Sequence, residues 1–105
     1  TFPATGVYLL QFECYLQADN IDGLISMFIE TTTDNSSYSN ASQKEFGVSR
    51  GSDRQMCSTQ FIFDVQNTTT HKCKFHLTNA SSDTTTKGDT NTSETCMTFI
   101  RLGDT

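Results

Sequence analysis

The side chains best suited to chemistry in this sequence are four cysteines, and their spacing limits what they can do. They are Cys14, Cys57, Cys73 and Cys96. No two of them have the close spacing of a zinc knuckle. Four cysteines allow three disulfide connectivities, among which the sequence does not choose, and disulfides need an oxidising compartment. Each cysteine falls on the apolar face of a different predicted strand, so we expect four free, buried thiols that act as small hydrophobic side chains.

A metal site is the second kind of chemistry to consider, because two histidines and a cysteine lie within six residues. The three are His71, Cys73 and His76. On a strand His71 and Cys73 share a face and His76 points the other way, which leaves two ligands where zinc needs three or four. We therefore predict neither a metal nor a cofactor.

The sequence contains no pattern that supports catalysis. It has no Gly-x-Ser-x-Gly turn, no cysteine with an evident base beside it and no glycine-rich phosphate loop. Asp83, Asp89 and Asp104 fall in predicted loops, where carboxylates mostly serve as solvated charges. No spacing of acidic residues predicts a calcium loop. The prediction is a protein without enzymatic activity.

Five Asn-x-Ser/Thr sequons are present, at Asn35, Asn40, Asn67, Asn79 and Asn91. In a chain this rich in Ser and Thr we expect such triplets by chance. Unless the chain is secreted, they indicate exposed loops and nothing more.

Composition favours one small all-β domain spanning residues 1–105. The mass is 11.7 kDa and hydrophobic residues make up 34% of the chain, against about 45–50% in an average globular domain. Thr and Ser exceed a quarter of the residues, and they favour strands and turns respectively. The core must be thin and rich in Phe, so contacts with neighbouring chains are expected to add stability.

The charge excludes two classes of partner. The formal net charge is −5 and the isoelectric point is near 4.7, whereas nucleic acid and anionic lipid both attract basic surfaces. No apolar run reaches the roughly 18 residues of a membrane helix. The segment from Thr1 to Gly6 has no basic or apolar region of a signal peptide. We predict no nucleic-acid binding and no membrane insertion.

Alternation of apolar and polar residues predicts five strands and no helix. The strands cover residues 6–16, 24–32, 55–65, 71–78 and 95–102. Residues 33–54 and 79–94 are predicted as polar loops, with a short strand around Phe46 and Val48. Residues 24–32 carry apolar side chains on both faces, which suggests a sandwich core or a subunit interface.

Five or six strands with long connections favour an antiparallel sandwich of the jelly-roll type. A complete jelly roll has about eight strands, and this chain begins abruptly with a strong strand. We expect the sequence to be the C-terminal part of a longer chain, with one or two strands upstream.

Several stretches of the chain also resemble a known family. The segment Phe2-Pro3-Ala4-Thr5-Gly6-Val7-Tyr8 resembles the approach to an early core strand of C1q/TNF-like jelly rolls, and Thr98-Phe99-Ile100 is similar to the last strand of that family. Residues 29–38, 63–72 and 98–105 resemble a set of stretches found together in structural proteins of marine tailed phages, especially cyanophages. The chain departs from the family in having more cysteines and no strand before the Phe-Pro segment.

The resemblance implies a compact trimer around a three-fold axis lined with aromatic side chains. By position, Tyr8, Phe12 and Phe99 are candidates for the trimer contact, and the alternative is that they fill the core of the single chain. The implied function is a virion surface protein, as a fibre knob, capsid protrusion or decoration, assembled in the host cytoplasm with other virion proteins. Its loops would face water, a host glycan or a host protein. Two alternatives are a secreted C1q-like or lectin-like module that binds carbohydrate or protein, and an accessory domain of a polysaccharide-degrading enzyme.

Overall fold

The computed structural model describes residues 1–49 and 51–105. Arg50, which falls in the predicted loop 33–54, lies outside the described residues. Seven strands are present: β1 Gly6–Ala18, β2 Asp22–Thr32, β3 Ser39–Val48, β4 Arg54–Val65, β5 Lys72–Thr78, β6 Thr84–Thr86 and β7 Cys96–Gly103. The described part of the chain contains no helix, in agreement with the sequence prediction.

The strands form two antiparallel sheets. In the four-stranded sheet, β1 pairs with β4 along one side and with β6 and β7 along the other. In the three-stranded sheet, β2 lies between β3 and β5. The two sheets pack face to face, and the result is the predicted all-β sandwich of jelly-roll-like character.

Strict alternation along β1 builds one half of the core. The side chains from Tyr8 to Ala18 at even positions are buried, and those between them are half-buried on the outer face. The β2 side chains Ile25, Met27 and Ile29 face them from the other sheet and are fully buried. Nine of the thirteen buried hydrophobic residues in the described part of the chain belong to these two strands. Because burying a large apolar side chain is worth about 1.5–3 kcal/mol, the two strands supply most of the hydrophobic stabilisation.

Two predicted loops contain strands. Residues 39–48 form β3, a ten-residue strand that pairs with β2, where only a short strand around Phe46 and Val48 was expected. The loop 79–94 contains β6, whose three threonines pair with Leu16, Gln17 and Ala18. The short strand predicted around Phe46 and Val48 is the end of β3. Residues 39–45 and β6 were missed because these stretches are mostly polar or short, and pairing with a longer strand holds them in place.

Buried or capped aspartates fix two of the turns. The Asp34 carboxylate accepts hydrogen bonds from the backbone N–H groups of Ser36 and Ser37, each 2.8 Å long, and from the Thr32 hydroxyl. These bonds hold the pKa of Asp34 well below its ordinary value. Asp22 accepts bonds from the Thr84 hydroxyl at 2.6 Å and the Ser81 N–H at 2.8 Å, and so ties β2 to the loop that carries β6.

Candidate interaction surface

The two long edges of the sandwich differ in chemistry. At the edge formed by β3 and β4, the hydroxyls of Ser42 and Thr59 share a hydrogen bond that bridges the two sheets. A groove of about 300 Å³ beside it has only polar lining side chains, including Lys44 and Gln60. We call this the closed edge, because polar side chains of the two sheets meet across it.

The opposite edge, formed by β5 and β7, is apolar and open. Phe75 of β5 and Phe99 of β7 meet there with their ring centroids 5.6 Å apart. Even so, Phe99 and Met97 remain 48% and 50% exposed on the inner face of β7. We call this the open edge. Side chains on the inner face of a sandwich sheet are ordinarily buried in the core, but these two are only half covered.

The N-terminal segment closes one end of the open edge. The Phe2 ring is buried, with centroids 4.9 Å from Tyr8 and 5.9 Å from Phe99. The Tyr8 hydroxyl donates a hydrogen bond to the Ala4 carbonyl, and the Arg101 Nε donates one to the Thr5 carbonyl, both 3.0 Å long. A cavity of about 510 Å³ remains between this segment and β7, with a mainly apolar lining completed by Pro3 and Cys73.

A second apolar surface lies on the outer face of the four-stranded sheet. Leu9 of β1 is paired with Ile62 of β4 on one side and with Ile100 of β7 on the other. We call these three side chains the outer row. Leu102, next to the irregularity in the β1–β7 register, extends the row along β7. The outer-face residues of β7 are about as exposed as its inner-face residues, Ile100 at 46% and Leu102 at 55%.

β7 therefore exposes apolar side chains on both of its faces. Among the described residues it pairs only with β1, so its other side is a sheet edge. Apolar edge strands are the parts of β-proteins most prone to associate with another chain. The open edge and the outer row meet on this strand, and together they form the candidate interaction surface.

The three residues proposed for a trimer contact occupy different environments. Tyr8 and Phe12 are buried inside the single chain, at 3% and 4% exposure, and Phe12 packs on Phe75 with centroids 5.4 Å apart. They fill the core, which is the alternative that the sequence left open for them. Phe99 lies on the candidate surface. Ile100 and Leu102 also lie there, although the sequence pattern did not single them out.

Three of the cysteines face the core and one does not. Cys14 is buried, as predicted, whereas Cys57 and Cys73 pack against the core but are only partly buried. Cys96 is opposite Glu13 on the outer face of the four-stranded sheet, and its thiol donates to Glu13 Oε2 over 3.2 Å. The prediction that Cys96 shares the apolar inner face was wrong, because the β1–β7 register turns Met97 and Phe99 inward. All four thiols are free in the structure.

The two histidines have separate environments. His71 is buried and stacks on Phe63, with centroids 5.7 Å apart. His76 stacks on Phe28 at 4.8 Å on the outer face of the three-stranded sheet, with its Nδ1 3.7 Å from Glu30 Oε2. Across residues 1–49 and 51–105, no three His, Cys, Asp or Glu side chains are grouped to hold a metal ion. The same residues include no helix long and apolar enough to cross a membrane.

Comparison of the chain with protein-family models, with curated proteins and with solved structures gave no match.

Proposed function

We propose that this domain is a non-enzymatic structural module of a tailed-phage virion surface, in a fibre knob, a capsid protrusion or a decoration, and that it assembles as a homotrimer. The observation that carries the proposal is the exposure of β7. Its apolar side chains are about half exposed on both faces of an edge strand, and they are Met97, Phe99, Ile100 and Leu102. The virion setting and the trimer rest on the resemblance of residues 29–38, 63–72 and 98–105.

The exposed apolar side chains of β7 lie on both of its faces, so a partner on one face alone would leave the others in water. A single neighbour packed on one sheet face would account for one side of β7 but not for both. A second and third copy of the chain can cover the open edge and the outer row at once, since a closed ring places two different surfaces of each copy in contact. Most of the acidic side chains lie in loops, where the net charge of −5 keeps assembled particles soluble and mutually repelling.

Native mass tests the assembly. We expect light scattering on the longest natural chain that contains this domain to give three times the mass of that chain. Phe99→Ser and Ile100→Ser are each expected to shift the mass toward the single chain. Met56→Ser is the matched control, because Met56 is 51% exposed on β4, away from β7. A single-chain mass for the unaltered protein would overturn the trimer.

Particle labelling tests the setting. Antibody against the domain should decorate the surface of purified particles in electron micrographs, and the chain should co-purify with them. Particles that lack the chain would overturn the virion assignment and leave the trimer test unaffected.

A second candidate function is a secreted C1q-like or lectin-like binding module. It is favoured by the five sequon asparagines, all of which are exposed at turns, loops or the start of β3. The upstream sequence distinguishes the two functions. A signal peptide or a collagen-like Gly-x-y stretch would favour the secreted module, and a coiled coil or fibre shaft would favour the virion protein. Loss of mass on treatment of the natural protein with an N-glycosidase would also favour secretion.

A further inference from the structure

Two of the four cysteines face each other across neighbouring strands. Cys14 of β1 and Cys57 of β4 are paired directly in the antiparallel register. Directly opposed residues in such a pair have Cα atoms about 4.5–5.5 Å apart, and disulfides span Cα separations of about 4.4–6.8 Å. Both side chains lie on the inner face, so both sulfur atoms are on the same side of the sheet.

No other pair of cysteines has this relationship. Cys73 belongs to the other sheet, where it is opposite Thr31. Cys96 is opposite Glu13, one residue from Cys14, but its side chain is on the outer face of the sheet. Cysteines whose Cβ atoms point away from each other cannot be bridged without moving the backbone. The fold therefore favours the bridge between Cys14 and Cys57 over every other pairing.

The two thiols also differ in access. Cys14 is completely buried, while Cys57 is partly exposed near the closed edge. A reagent in solution therefore reaches Cys57 first. Burial raises the pKa of both thiols above the ordinary value, and for Cys57 the Lys44 ammonium opposes this. Because the thiolate is the nucleophile, attack is slow at neutral pH and faster in alkali.

We propose that Cys14 and Cys57 form a redox-responsive pair, reduced while the protein assembles and oxidised to a disulfide between β1 and β4 when it meets small-molecule disulfides outside the cell. The change of compartment rests on the proposed virion function. The reaction itself depends only on the fold.

The chemistry is thiol–disulfide exchange in two steps. The Cys57 thiolate attacks one sulfur of oxidised glutathione, forms a mixed disulfide and releases one glutathione thiolate. The Cys14 thiolate then attacks the Cys57 sulfur and releases the second. Two electrons pass from the cysteine sulfurs to the glutathione disulfide, and the two protons lost by the cysteines are taken up by the released thiolates. The bridge closes a long stretch of chain, which should raise resistance to unfolding.

The test is a thiol count after exposure of the folded protein to oxidised glutathione at alkaline pH. After alkylation in denaturant, we expect two of the four thiols to be lost, and peptide mapping should find Cys14 joined to Cys57. Cys14→Ala and Cys57→Ala should abolish the bridge and leave at most a glutathione adduct on the remaining partner. Cys73→Ala and Cys96→Ala serve as matched controls and should still form it.

The outcomes separate this proposal from the proposed function. Four remaining thiols after prolonged exposure, or a bridge that involves Cys73 or Cys96, would overturn the redox pair. If the disulfide forms in vitro but natural protein from outside the cell carries four free thiols, the Cys14–Cys57 pairing is correct and its oxidation outside the cell is wrong.

Discussion

Phe75 and Phe99 meet edge to face, with ring centroids 5.6 Å apart, at the point where the two sheets come together along the open edge. This contact joins a partly buried residue of β5 to a residue of β7 that is half exposed. At the closed edge, the corresponding bridge is the hydrogen bond between Ser42 and Thr59. The sandwich is therefore sealed by polar groups on one side and left apolar on the other, which sets the expectations for substitutions on each side.

Substitution of Phe12 should affect folding, whereas substitution of Phe99 should mainly affect assembly. Phe12 is buried against Phe75, so Phe12→Ala should lower the free energy of unfolding by about 3–5 kcal/mol. Phe12→Leu should cost less and keep a measurable transition if the alanine variant does not fold. Urea unfolding of the single-chain form measures both. A loss for Phe99→Ser as large as that for Phe12→Ala would contradict the assignment of Phe99 to a surface.

Replacement of Gly6 should destabilise the fold, because a side chain at this position meets neighbouring atoms and a backbone angle that favours glycine. Gly6 has a φ of 148°, and a Cβ atom at this position would lie 2.6 Å from Arg101 Nε and 2.6 Å from the Gly103 carbonyl oxygen. We expect Gly6→Ala to lower the free energy of unfolding by about 1–3 kcal/mol and to weaken the bond between Arg101 and Thr5. Gly23→Ala is the control, because nothing lies within 4 Å of its added Cβ atom. Equal unfolding midpoints for the two variants would refute this explanation.

Acid should weaken the tie between β2 and the β6 loop. Hydrogen bonds from Thr84 and then Ser81 lower the pKa of Asp22. A carboxylate whose folded-state pKa is depressed contributes stability above its unfolded value of about 3.9 and loses it as the pH falls through the folded value. Asp22→Asn should therefore lower the urea midpoint at neutral pH, and the difference from the unaltered protein should shrink as the pH falls below the ordinary carboxyl pKa of about 3.9.

The control for the acid experiment is Asp19→Asn. Asp19 is exposed and, within the described residues, its side chain makes no hydrogen bond. Its substitution should leave the difference between neutral and acid midpoints as it is in the unaltered protein. If the difference in urea midpoint between Asp22→Asn and the unaltered protein stayed constant over the whole pH range, the stabilisation by the Asp22 hydrogen bonds would not depend on ionisation.

The ion pair on the outer face of the three-stranded sheet should contribute little. Lys74 Nζ lies 2.7 Å from Glu30 Oε2 and 4.5 Å from the Tyr38 ring centroid, but the lysine side chain is 51% exposed. Exposed pairs are worth below about 1 kcal/mol, so Lys74→Ala should cost no more than that. The cost should fall further at about 1 M salt, where the Debye length is near 3 Å. Lys87→Ala, which removes no ion pair found in the described residues, is the control. A salt-independent loss would assign the effect to packing on Tyr38.

Strong alternation made much of the fold predictable from sequence. The β1 and β4 segments alternate over more than ten residues, and their predicted bounds differ from the observed ones by at most two. By contrast, β3 is rich in Ser, Gln, Lys and Glu and lies at a sheet edge, so it carries almost no hydrophobic period. The three threonines of β6 gain their extended conformation from β1 and from Asp22. Apart from Phe46 and Val48 at the end of β3, neither strand has a local sequence pattern that predicts it.

The candidate surface was harder to predict than the fold. β7 has apolar residues at both even and odd positions, so alternation does not reveal which set faces the core. The register decides it, because Phe99 is opposite the buried Leu10 while Ile100 is opposite Leu9 on the outer face. Phe99 was found by its place in a family pattern. Ile100 and Leu102 were missed because the wrong face of the strand was assigned to the interior.

The position of β1 has a consequence for how the chain is made. β1 carries every pairing of its sheet, and its residues 7–13 pair with β7 near the other end of the sequence. During synthesis β1 therefore leaves the ribosome long before β7, its partner along one side, has been made. Until β7 emerges, residues 7–13 of β1 have no partner along that side, and contacts this distant in sequence form slowly. Early docking of β4 on β1, or a chaperone that holds the free edge, would protect the nascent chain during that interval.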